Sequence, residues 1–296
     1  MQKSDGYDLD RSLFERLVLG GHEFTTLAEQ HRSPPQTTNL LHLLVYPDFR
    51  DAPVTHLRPL VRGLQHRFIF MSHEYQEERR GTLRDRDGAD PSPGSCQNRF
   101  EAEMVLALVR YLAQQGYKTS NMVVLTPYLG QLSLLHDILR SEADPWLADL
   151  DNHELRRAGL ITDAAAKMST RPLRISTIDN YQGEQSDIVI VSLTRSNPEG
   201  KIGFLAQPER LTVLMSRHRQ GLIILGNMDT FIKSPTGGEL WRCFFGHLRD
   251  DGFLHDGIPV ECQQHPTRCT VLNTPAHFVG RCPDGDAPSH GELLAI

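Results

Sequence analysis

The sequence predicts an α/β fold, a parallel sheet with helices packed on both faces. Short apolar, β-branched runs alternate along the chain with amphipathic stretches of helical period, which is the pattern of strands joined by crossover helices. The runs Val-Val-Leu at 123–125, Ile-Val-Ile-Val at 188–191 and Leu-Ile-Ile-Leu at 222–225 are unbroken rather than alternating, as strands covered on both faces require. Several of the intervening helices also have readable ends.

Strands are expected at Phe24–Leu27, Phe68–Ser72, Met122–Thr126, Arg174–Ile178, Ile188–Leu193 and Leu222–Gly226. Asn98 followed three residues later by Glu101 makes a capping-box-like start, and Gly116 closes the helix over Phe100–Gln115. A second helix should run from Gly130 to Arg140 with Leu132, Leu135 and Leu139 on one face. A third opens at Pro208, a favoured first-turn position, and turns Leu211 and Leu214 inward. His73–Gln97 is charged, rich in Gly and Pro and poor in large apolar groups, so it reads as a disordered insertion. Glu142–Arg171 carries Trp146, Leu147, Leu150 and Leu155 and reads as a small helical excursion. From about Gly257 the alternation stops and Cys, His, Pro and Gly accumulate, which predicts an irregular tail.

Composition narrows the functional classes. With 296 residues, 39% hydrophobic and 23% charged, the chain can bury a substantial core. Its longest strongly apolar run, at 188–191 with Leu193, is far too short to span a bilayer, so no membrane role is expected. Five cysteines, an odd number spread thinly, suit a reducing compartment and an intracellular location in nucleus or cytoplasm. A net charge of −6 argues against coating nucleic acid through a broad basic face; any such contact must be local.

The most informative stretch runs from Ser176 to Asn197, Ser-Thr-Ile-Asp-Asn-Tyr-Gln-Gly-Glu-Gln and onward, followed by Pro208–Asn227 with its Ser-Arg-His-Arg. It resembles the last two signature motifs of superfamily 1 RNA helicases of the Upf-like group, and most resembles the NF-X-type zinc-finger helicases. Gln30-His31-Arg32-Ser33-Pro34 and Thr126-Pro127-Tyr128 with Gln131 resemble two earlier motifs of the same group, in family order, so that the likeness spans residues 12–226. The resemblance implies the second RecA-like domain of such a motor, with residues 1–22 the remnant of a first domain and linker, 23–250 the RecA-like domain, and 251–296 a tail leading toward a zinc-finger region.

Cleaving a terminal phosphoanhydride builds charge on the transferred group, which a planar, permanently charged guanidinium stabilises well from across a cleft. Arg32 and Arg217 stand at the two motif positions that the resemblance implies are arginine fingers. Gln182, Gly183 and Glu184 match the family turn that contacts the nucleotide, where Gly permits close backbone approach. Many relatives carry an acid at the place of Gln185, whose contact Glu184 could take over; the alternative for the whole turn is a simple strand entry. For the nucleic-acid strand the resemblance assigns Thr126, Tyr128, Gln131, Ser176 and Thr177, hydroxyls and amides that suit backbone groups without reading sequence. Tyr128 fits a strand contact and a helix-packing role equally well. His218 adds bulk where relatives have a small residue.

The sequence contains no Gly-x-x-x-x-Gly-Lys-Ser/Thr, and none of its five lysines lies in a glycine-rich loop. ATP with Mg2+ is therefore expected only together with a first RecA-like domain, supplied in cis or in trans. Cys262, His265, Cys269, Cys282 and His290 lack a Cys-x-x-Cys pair, and no zinc or other metal is expected. The resemblance further implies single-stranded RNA or DNA as ligand and a role in RNA surveillance or RNA-directed silencing and heterochromatin, with an RNA-dependent RNA polymerase complex as partner. The rival readings are a module that binds RNA or protein without turnover, and a truncated fragment.

Overall fold

The computed structural model describes residues 11–79, 95–141, 173–262 and 269–278. In chain order its principal elements are α1 (Leu13–Leu19), β1 (Glu29–Gln30), α2 (Pro35–Leu44), β2 (Arg50–Asp51), α3 (Pro53–His56), β3 (Phe68–Ser72), β4 (Glu78–Arg79), β5 (Cys96–Gln97), α4 (Arg99–Gln114), β6 (Met122–Thr126), α5 (Leu129–Ser141), β7 (Arg174–Thr177), β8 (Ser186–Ser192), α6 (Pro208–Met215), β9 (His218–Gly226), α7 (Met228–Ile232), α8 (Gly238–Asp250), β10 (Leu254–His255), β11 (Ile258–Glu261) and β12 (Cys269–Leu272).

Six strands form one parallel sheet in the order β10-β3-β9-β8-β6-β7. Successive side chains of a strand point to opposite faces, and this sheet fills both. Phe68 and Phe70 of β3 join Leu222 and Ile224 of β9 on one face, under Trp241, Phe244, Phe245 and Leu248 of α8. Ile69 and Met71 join Ile223 and Leu225 on the other, under Met104, Val105, Leu108 and Leu112 of α4. The unbroken apolar runs of the sequence are thus the strands sandwiched between two helical layers. Trp241 completes its burial by donating its indole N–H to the Leu205 carbonyl at 3.0 Å.

Strands β3 and β6 have the bounds that the sequence predicts, and α6 opens at Pro208 with Leu211 and Leu214 buried. Asn98 caps α4, accepting from the Glu101 N–H at 3.1 Å. The reciprocal half of the expected capping box is not made. The Glu101 carboxylate is buried and accepts instead from Ser192 Oγ at 2.6 Å and Thr194 N at 2.9 Å, with His73 Nε2 3.0 Å from its other oxygen. It ties the C-terminal ends of β3 and β8 to α4, and its partner Thr194 holds the one positive φ, 70°, found on a non-glycine residue among the described residues.

Three expectations need correction, and a fourth falls outside the described residues. Phe24–Leu27 is not a strand: Phe24 and Leu27 are exposed, and the first pairing is Glu29–Gln30 against Arg50–Asp51, because no second layer covers the apolar pair. His73–Gln97 is not wholly a disordered insertion. Its described ends pair as β4 and β5, and Glu77 bonds Arg195 Nε and Ser196 N, each at 2.8 Å; residues 80–94 lie outside the described ones. The tail is not irregular at its start: β11 and β12 form an antiparallel hairpin, and Ile258 and Val260 pack into the α4 face of the core. Finally, the excursion at Glu142–Arg171 lies outside the described residues, so nothing is assigned to it.

Candidate functional site

In a parallel sheet every strand begins at one rim and ends at the other, and the candidate residues divide between the two. Gln185 immediately precedes β8 and Arg217 immediately precedes β9, so the turn at 182–185 and Arg217 share the rim where these strands begin. Arg32 reaches the same rim. Its Nε donates to Gln185 Oε1 at 2.9 Å and its Nη1 to the carbonyl of Ser216, the neighbour of Arg217. The two arginines, 185 positions apart in the chain, therefore lie side by side.

Their electrostatics are unusual. Arg217 is only 8% exposed, and among the described residues its Nε has no hydrogen-bond partner. Its pKa is pushed below the ordinary arginine value, first by burial and then by the charge of Arg32. That of Arg32 is lowered by burial as well. Neither forms an ion pair with a carboxylate among the described residues, because the nearby acids are engaged elsewhere: Glu184 with Arg174, at 2.6 Å between Oε1 and Nη2, and Asp187 with Arg219 at 2.7 Å. Tyr181, between them in charge terms, is buried, and that burial raises its pKa, so it stays a neutral phenol. Buried Arg217 and half-buried Arg32 are thus neighbouring cations without a carboxylate partner among the described residues, a grouping whose charge suits an anion.

Gln182, Gly183 and Glu184 are exposed on this rim, and Gly183 holds a φ of +85° that suits glycine. The exposed Glu184 carboxylate pairs with Arg174, and Gln185, at the place where many relatives carry an acid, contacts Arg32. His218 is fully buried. Its Nε2 lies 2.7 Å from Thr37 Oγ1, and its carbonyl accepts from Ser33 Oγ at 2.6 Å, which fastens the Arg32 segment to the start of β9. Burial lowers its pKa to about 3, so the ring is neutral.

At the opposite rim the structure gathers Thr126, Tyr128, Gln131, Ser176 and Thr177. Thr126 and Thr177 are register partners at the ends of β6 and β7. Most of these side chains, however, are turned inward. Gln131 is fully buried, donating to the Asn98 carbonyl at 2.9 Å and Ser192 Oγ at 3.0 Å while accepting from Asn98 N at 2.6 Å. Thr126 Oγ1 lies 3.2 Å from Thr194 Oγ1, and Tyr128 donates to the Ile202 carbonyl at 3.0 Å against Phe204. In this structure Thr126, Tyr128 and Gln131, expected to contact a strand, are buried with their polar atoms engaged within the fold, and Tyr128 packs against Phe204. Ser176 remains partly exposed and Thr177 is nearly covered. Segment 176–185 runs from this rim to the other in ten residues.

Sequence reasoning gave no role to Gln30 and Tyr181, though both lie inside the quoted motifs, and it missed Arg58, which lies in none. Beside Arg32 opens a cleft of about 830 Å³ lined by Leu27, His31, Tyr46, Phe49 and Arg219 among others. Among the described residues no group of His, Cys, Asp and Glu could hold a metal ion, and no helix is long and apolar enough to cross a membrane.

The fold is a parallel α/β sheet of RecA-like type, and comparison with known proteins gives the family. The family model described as an AAA domain matches residues 9–229, most of the chain. The chain belongs to that family and, within it, to the second RecA-like domain of the Upf-like superfamily 1 helicases. It is 31% identical over 279 residues to the NFX1-type zinc finger-containing protein 1 of Mus musculus, covering 94% of this chain and 12% of that protein. It is 31% identical over 262 residues to the helicase required for RNAi-mediated heterochromatin assembly 1 of Schizosaccharomyces pombe, covering 87% and 22%. To the ATP-dependent helicase NAM7 of Saccharomyces cerevisiae it is 26% identical over 279 residues, covering 91% and 25%. The chain thus spans a quarter or less of the length of these relatives.

Proposed function

We propose that this chain is the phosphate-sensing half of an ATP-dependent RNA helicase motor. Arg32 and Arg217 reach the terminal phosphate of an ATP held, with its Mg2+, by a first RecA-like domain. The observation that carries the reading is the pair of neighbouring guanidinium groups, Arg217 buried and Arg32 half-buried, without a carboxylate partner among the described residues. A terminal phosphate presented from across the rim would supply the missing charge, and its stabilisation grows as charge develops in the transition state. Gln182, Gly183 and Glu184 border the nucleotide from the same rim. Single-stranded RNA runs over the opposite rim, met by Ser176 and by backbone groups rather than by buried Gln131. The names of relatives, which include RNAi-mediated heterochromatin assembly and the regulators of nonsense transcripts, favour work in RNA silencing or surveillance.

The test uses a polypeptide in which a first motor domain precedes this chain. Arg217→Ala should lower turnover about a thousandfold, the lower end of arginine-finger effects, with ATP affinity changed far less. Arg217→Lys should restore little, since an ammonium lacks the planar fork. Unchanged turnover in both Arg32→Ala and Arg217→Ala would remove the phosphate reading and leave a module that only binds.

A further inference from the structure

The turn that carries Arg32 has no regular secondary structure, yet nearly every backbone polar group in it meets a side chain. Gln30 is buried and uses its amide completely. Its Oε1 accepts from the backbone N–H of Arg32 at 2.7 Å and of Ser33 at 3.0 Å. Its Nε2 donates to the Ser33 carbonyl at 2.7 Å and to Asp51 Oδ1 at 2.5 Å. An amide has two acceptor sites and two N–H donors, and all four are engaged here. Asp51 is itself held, accepting from Thr38 Oγ1 at 3.0 Å. From the other side Arg58 donates Nε to the Arg32 carbonyl at 3.1 Å and Nη2 to the His31 carbonyl at 2.9 Å.

From this we infer that Gln30 and Arg58 are positioning residues that brace the Arg32 turn in the geometry that presents its guanidinium. The inference rests on the reading that Arg32 meets the terminal phosphate, and it adds two residues that act through it. A long, flexible arginine on a free loop would lose entropy each time it met a phosphate; a turn fixed in advance lets the contact form with little rearrangement. Gln is suited to this place because it donates and accepts at once. Arg58 is suited because only a planar fork bridges two successive carbonyls.

Two measurements test this separately from the phosphate reading. In the full 296-residue chain, hydrogen exchange at the Arg32 and Ser33 amides should accelerate at least tenfold in Gln30→Met, while the amides of Ile223 and Ile224 in β9 keep their protection. In the polypeptide with a first motor domain, Gln30→Met should lower kcat on the order of a hundredfold, as an ångström-scale misplacement does, with ATP affinity nearly unchanged. Arg58→Lys, which keeps the charge and lies near the surface, serves if Gln30→Met does not fold, and should lower kcat several-fold in the same manner. Loss of kcat with affinity spared, together with faster exchange confined to the turn, supports the brace. If Arg32→Ala lowers turnover but neither Gln30→Met nor Arg58→Lys does, the brace is overturned while the phosphate reading stands. If Arg32→Ala is neutral, the phosphate role of Arg32 falls, and the brace as a device for catalysis falls with it whatever the exchange shows.

Discussion

His218 shows how a single side chain can be misread from sequence. It interrupts the Arg-x-Arg pattern with bulk and suggests interference with Arg217, whereas in the fold it points away from the rim and links β9 to Thr37. Because burial depresses its pKa to about 3, against about 6.5 in an unfolded chain, the unfolded state takes up the proton first as pH falls. The stability that this ring contributes is therefore complete above pH 6.5 and is lost as pH drops toward 3. Between pH 7 and pH 5 the chain should lose roughly 2 kcal/mol through this group. Urea unfolding at the two pH values should show that slope, and His218→Ala should flatten it; an equal slope in both proteins would mean that the ring is solvated.

At the scale of elements, burial separates two segments that the sequence treats alike. α1 buries no residue, and Leu13 and Phe14 are 72% and 68% exposed, so its apolar stripe contributes nothing to this domain. β11, in the stretch expected to be irregular, buries Ile258 completely against the α4 face. Leu13→Glu with Phe14→Glu should leave the unfolding free energy within about 0.5 kcal/mol. Ile258→Ala should cost about 2–5 kcal/mol, the range for truncating a buried Ile or Leu in a packed core. Chemical denaturation of both variants gives the comparison, and a near-neutral Ile258→Ala would detach the hairpin from the core.

At the scale of the molecule, the parallel sheet separates two chemistries. One rim presents Arg32 and Arg217 without a carboxylate partner among the described residues, the other presents strand ends whose hydroxyls and amides are largely satisfied internally, and segment 176–185 connects them. Cations that stabilise a transition state do not assemble it, and this sequence has no phosphate loop of its own. The purified 296-residue chain should therefore show no ATP turnover above background, with or without RNA. Robust hydrolysis that disappears in Arg217→Ala would show that the half-motor reading is wrong.

What the sequence determined by itself was the sheet and the family. Its strands are covered on both faces, so their apolar runs are continuous, and the bounds of β3 and β6 could be read directly. The motif arginines were legible because their residue type and order match the motifs of the family. What only tertiary structure decided was the use made of polar residues. A buried Gln looks the same in sequence whether it contacts RNA, as Gln131 was expected to, or braces a turn, as Gln30 does. Likewise, Glu101 serves a long-range hub rather than its own helix cap. A polar side chain under 3 Å from its partner is held by geometry that spans distant segments, and local pattern carries no record of it, whereas burial of apolar surface leaves its period in the chain.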